Sequence, residues 1–140
     1  MIDERFEEFA SDQKLNRLVR KFSVLEGRQP RAMVCRSLES GADEKIKEVS
    51  VELAGFGFDV DIGIPFDSID TLGMNAIEND VDVLVLFVLQ DEKGVAFIDR
   101  LESYLSDAGY SDLLILHEHQ NFSSGYFRDE LILWLENTLV

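Results

Sequence analysis

Cysteine, proline and histidine are almost missing from this 140-residue chain, which has one, two and two of them. A lone cysteine, Cys35, excludes an intrachain disulfide and fits a reducing compartment. Basic residues are scarce, with 13 Lys and Arg against 28 Asp and Glu and a formal net charge of −15. So acidic a chain repels phosphate backbones, and nucleic acid is not expected as a partner. The longest apolar run, Val83 to Leu89, falls far short of the roughly 20 residues a membrane span needs, so no membrane partner is expected. The first residues, Met1 to Lys14, lack the apolar core of a secretion signal, and a cytoplasmic protein is expected. Neither a GxGxxG nor a GxxxxGK[ST] run occurs, which removes two glycine-rich phosphate cradles from consideration.

What is present suits one packed domain. Apolar residues make up 46% of the chain, and ten are Phe. Charge is distributed unevenly. Through Arg31 there are seven Lys and Arg against six Asp and Glu, leaving six against 22 for the rest. The first 30 residues read as a helical leader, with helices at 3–10 and 12–25 capped by Asp3 and Ser11. Leu15, Leu18, Val19, Phe22 and Leu25 form its apolar stripe, and Gly27 and Pro30 end it. Its basic cluster of Lys14, Arg17, Arg20, Lys21, Arg28 and Arg31 is either a solvated helix face or an arm docked on an acidic surface.

Residues 31–140 alternate between strand and helix. Ala32 to Cys35 reads as a first strand, followed by a helix over 42–54 that buries Ile46, Val49 and Leu53 and stops at Gly55 and Gly57. Phe58, Val60 and Ile62 alternate with Asp59 and Asp61, as in a strand wet on one face. A helix through Ile69, Leu72, Ala76 and Ile77 leads to the apolar run 81–89, which suits a central parallel strand. A third helix carries Val95, Ile98, Leu101 and Leu105, and Leu113 to Leu116 forms a fourth strand. The last helix runs over 126–139. This alternation predicts an α/β, flavodoxin-like (Rossmann-like) three-layer sandwich. Its parallel sheet of about four strands should follow the order 2-1-3-4, with any ligand at the carboxyl ends.

Two blocks, Glu26-Gly27-Arg28-Gln29-Pro30-Arg31 and Gly57-Phe58-Asp59-Val60-Asp61-Ile62-Gly63, resemble the cobalamin-binding domain of methylmalonyl-CoA mutases. The resemblance covers roughly residues 15–116, and the second block matches over seven consecutive residues. In that family an Asp-x-His-x-x-Gly loop follows the first strand, and its His is the lower axial ligand of cobalt. Here the Asp position falls on Ser40, the His on Ala42 and the Gly on Lys45. Alanine has no lone pair for a metal. The family's Ser-x-Leu after the third strand falls on Phe87-Val88-Leu89, and its Gly-Gly after the fourth strand near Glu118-His119. The resemblance therefore implies a degenerate domain with no cofactor, and cobalamin is expected not to bind. The family's fifth strand is expected to be missing or merged, which would leave the fourth strand as an edge open to a second copy in a homodimer.

No catalytic residue stands out, since no nucleophile–base or acid–base pair is recognisable. A receiver-type acidic site is absent too, because Cys35-Arg36-Ser37 and Leu86-Phe87-Val88 offer no carboxylate. Ser37, Ser40, Phe87, His117 and His119 are the cleft candidates. His117 and His119 are either surface histidines or two ligands of a metal, joined by Asp91 or Glu39. Cys35 and Trp134 read as core residues. Together these features point to a non-catalytic structural or protein-interaction module with a mutase-like partner. A small-ligand or divalent-metal module in the emptied cleft is the alternative.

Overall fold

A computed structural model describes residues 4–88, 91–117 and 124–139. The chain runs α1 (Glu4–Glu26), β1 (Arg31–Arg36), α2 (Asp43–Phe56), β2 (Asp59–Ile62) and α3 (Ile69–Glu78), then β3 (Val83–Phe87), α4 (Glu92–Asp107), β4 (Leu114–His117) and α5 (Ser124–Thr138). The four strands are all parallel, in the expected order β2-β1-β3-β4. Two separate apolar clusters cover the two faces of the sheet. One joins Val34, Val85 and Phe87 to α1, α2 and α5, and the other joins Cys35, Leu84 and Leu86 to α3 and α4. That is the three-layer sandwich. Among the described residues no helix is long and apolar enough to cross a membrane.

The leader is one helix rather than two. Ser11 lies inside α1 and caps nothing, because burial of Leu15, Val19 and Phe22 outweighs serine's weak helix propensity. Each such side chain contributes roughly 1.5–3 kcal/mol when removed from water. These three residues sit in the same cluster as β1 and β3, so the leader is part of the main core. Leu25, expected on the stripe, is 61% exposed, next to the last residue of α1. Asp3 lies outside the described residues.

The Arg28 to Arg31 segment fastens the leader to the sheet's amino-terminal edge. The Arg28 guanidinium donates to both oxygens of Asp82, at 2.7 and 3.1 Å, and lies 5.3 Å from the Phe22 ring centre. The hydrogen bond to Asp82 holds the Arg28 pKa above its already high ordinary value. Asp82 also accepts from the Arg31 backbone N–H at 2.8 Å. Arg31 reaches Asp80 at 3.1 Å, and Lys14 reaches Glu136 at 3.6 Å. Half of the basic cluster is thus spent on the chain's own acidic body, while Arg17, Arg20 and Lys21 are exposed.

Gly55 lies within α2, and Gly57 is the residue that ends it, at φ +103°. A side chain at Gly57 would also meet Val19 Cγ1 of α1 at 2.9 Å. The alternation expected for β2 holds only at its start. Phe58 is buried, yet Ile62 is 60% exposed. β2 is an outer strand, and helical cover runs out toward its carboxyl end. β3 is shorter than the apolar run that announced it, spanning only Val83–Phe87, all buried. Beyond it, Val88 is buried as loop rather than strand, packing with the α3–α4 face.

Candidate functional site

In a sheet ordered β2-β1-β3-β4, the chain winds outward from β1 in one direction and from β3 in the other. The loops after these two strands separate at their carboxyl ends and leave a crevice. A cavity of about 250 Å³ opens there. Its walls come from Ser37, Leu38 and Glu39 after β1, Phe66 and Asp67 after β2, and Lys93, Phe97 and Arg100 on α4. The backbone builds this corner deliberately. Ser37 N–H donates to Phe87 O at 2.9 Å, Leu38 N–H to Phe66 O at 3.0 Å, and Phe66 N–H to Arg36 O at 3.0 Å. Phe66 and Phe97 stack with ring centres 5.2 Å apart and planes inclined by 22°.

The rest of the β1–α2 loop is stapled from beneath by Arg36. Its guanidinium donates to Asp43 Oδ1 at 2.9 Å and to the carbonyls of Ser40 and Ser37 at 2.9 and 3.2 Å. This matters for α2, whose first residue follows Ala42, a cap position with no side-chain hydrogen bond. Asp43 and Glu44 in the first turn suit the positive end of the helix.

The sequence candidates do not converge on one cleft. Ser37 lines the cavity, and its hydroxyl is buried without a hydrogen-bond partner among the described residues. Ser40 borders a separate shallow depression with Gly41, Ala42, Glu44 and Lys45. Phe87 does not line the cavity. It is fully buried in the α1–α2–α5 cluster, because period two places it with Val83 and Val85 on that face. His117 ends β4, two strand spacings and so roughly 10 Å from β1. His119 lies outside the described residues. Asp91, an expected metal ligand, is the α4 N-cap and accepts from Gly94 N–H at 3.0 Å. Among the described residues no three His, Cys, Asp or Glu side chains are placed to hold a metal ion.

Sequence reading missed Arg128. This residue is 6% exposed and ties three helices together. Its Nε pairs with Asp12 of α1 and its Nη2 with Glu52 of α2 at 2.7 Å, while the guanidinium lies 5.6 Å from the Phe56 ring centre. A lone Arg on a helix that also carries acids gives no sign of this. The cavity's Lys93, Phe97 and Arg100 were legible as one face of α4 at spacings of four and three, but nothing pointed that face at the crevice.

Fold and crevice together define an open, doubly wound α/β domain with a small cleft at its switch point. Curated proteins add a kinship. The chain is 32% identical over 104 residues to the methylmalonyl-CoA mutase of Cereibacter sphaeroides, covering 74% of this chain and 14% of that protein. It is 42% identical over 67 residues to the methylmalonyl-CoA mutase large subunit of Porphyromonas gingivalis, covering 48% and 9%. It is 31% identical over 98 residues to the mitochondrial methylmalonyl-CoA mutase of Homo sapiens, covering 70% and 13%. This is a domain related to part of the mutase large subunits, and it spans no more than 14% of these relatives' length. No family model matches the chain.

Proposed function

We propose that this chain is a non-catalytic relative of the mutase cobalamin-binding domain that takes no cobalamin and serves as a protein-interaction module. The observation that carries this reading is Ala42. The position where the resemblance calls for an imidazole holds a methyl group, 7% exposed and packed in one apolar cluster with Ile46, Phe87 and Leu131. The loop around it offers the Ser40 hydroxyl, the Glu44 carboxylate and the Lys45 ammonium, none of which supplies the imidazole that the resemblance calls for. Phe87, where the resemblance calls for a small hydroxyl, supports the same reading by its complete burial. A preserved frame without the ligating side chains is what a partner-binding descendant needs, and the partner is a mutase-like large chain.

Titration of the purified protein with hydroxocobalamin tests the first half. The expected visible spectrum is that of the free cofactor plus protein, with no cobalamin retained on gel filtration. A saturable spectral change overturns the reading. Co-elution with the mutase-related large subunit of the same organism tests the second half, and independent elution of the two at micromolar concentration rejects it.

A further inference from the structure

We propose that the cavity between the β1–α2 loop and α4 binds a small zwitterion, of the class of α-amino acids with an apolar side chain. The acidic body has only six Lys and Arg after Arg31. Arg36 and Arg128 are held in ion pairs. Lys93 and Arg100 both line this cavity, seven residues apart on one face of α4, and neither has an ion-pair partner among the described residues. Glu39, from the loop after β1, and Asp67, from the loop after β2, line the same cavity and form no ion pair among the described residues. Opposite charges that line one cavity and form no pair stand farther apart than the ~4 Å an ion pair allows. A lone anion would face two carboxylates and a lone cation two cationic side chains. A ligand with a carboxylate at one side and an ammonium at the other satisfies both kinds of charge at once.

The rest of the cavity fits the remainder of such a ligand. The stacked Phe66 and Phe97 rings, with Val88, form an apolar surface of the cavity. Ser37 on the same lining carries a buried hydroxyl with no hydrogen-bond partner among the described residues. The volume of about 250 Å³ suits a molecule of amino-acid size. Phe66 and Val88 belong to the α3–α4 face, whereas Ala42 and Phe87 belong to the opposite one. The proposal is therefore independent of the cobalamin reading, and either can fail alone.

The test is a titration of the amide spectrum of the ¹⁵N-labelled chain with L-phenylalanine and with L-leucine, up to about 10 mM. Saturable shifts at Ser37, Leu38, Gly94 and Phe97 are expected. Phenylacetate, which lacks the ammonium, and phenethylamine, which lacks the carboxylate, should bind roughly tenfold more weakly. The double variants Lys93→Gln/Arg100→Gln and Glu39→Gln/Asp67→Asn change exposed side chains only and should keep the parent's circular dichroism while losing the response. No shift with either amino acid overturns the proposal. So does equal binding of phenylacetate, or a response that survives in either double variant.

Discussion

Replacing Gly57 by alanine separates two physical effects at the point where the leader meets α2. At φ +103° an L side chain is strained, at a cost of about 1–2 kcal/mol. The new Cβ would also stand 2.9 Å from Val19 Cγ1, a backbone-anchored methyl in a packed core that cannot swing away. Overpacking of this kind costs about 1–3 kcal/mol, and the stiffer unfolded chain returns about 0.4–1 kcal/mol. The net expectation is a loss of about 2–4 kcal/mol, a large part of the 5–15 kcal/mol that holds a typical domain together. Urea unfolding followed by far-ultraviolet circular dichroism should show the midpoint falling by about 1–2 M with an unchanged slope. The steric part is removable. In a Val19→Ala background the clash disappears but the backbone strain stays, so Gly57→Ala should cost about 1–3 kcal/mol less there than in the parent. Strictly additive costs would refute the contact between α1 and Gly57, and with it the placement of the leader in the core.

Arg128→Met keeps most of the side chain's volume but strips Asp12 and Glu52 of their shared partner. Both carboxylates are about one-third exposed, so solvent screens part of the loss, and about 1–3 kcal/mol is expected in the same urea assay. Adding Asp12→Asn to Arg128→Met should cost less than the sum of the two, and additivity would deny the pair. Cys35 is fully buried, and its desolvation pushes the thiol from an ordinary 9.0 up to about 12. Above pH 9 the unfolded thiol ionises while the folded one stays protonated. The unfolded state then binds fewer protons, and stability falls as pH rises toward about 12. At about pH 10 this effect is about 1.4 kcal/mol, read as the extra pH sensitivity of the parent over Cys35→Ala under reducing conditions. Parallel pH profiles for the two would contradict it.

The placement of helices and strands was open to the sequence where apolar spacing was regular. Leu15, Val19 and Phe22, or Ile98, Leu101 and Leu105, announce buried helix faces because their spacing matches the helical turn. Glycines were legible as punctuation, but which of two ends α2 was not. Gly55 and Gly57 look alike in sequence, and only Gly57 takes up a left-handed backbone. Ser11 misled because a cap residue and a mid-helix serine share one composition, and burial further along α1 decides between them. The alternation in β2 misled at Ile62 because period two fixes which side a residue points to without saying whether anything covers that side. Ser37 reaches the crevice, while Phe87, the last residue of β3, turns into the core.

By itself the sequence determined the alternation of elements, the order of the sheet that this alternation implies, and an alanine at position 42. These rest on local spacing or on the identity of single residues. Only the tertiary structure decided that Arg128 joins Asp12 to Glu52 and that Arg28 grips Asp82 across 54 residues. The same holds for Lys93, Arg100, Glu39 and Asp67 lining one cavity. Such pairings depend on where distant segments are brought by the winding of the sheet. Charge and burial act through space, and a reading confined to neighbours along the chain has no access to that distance.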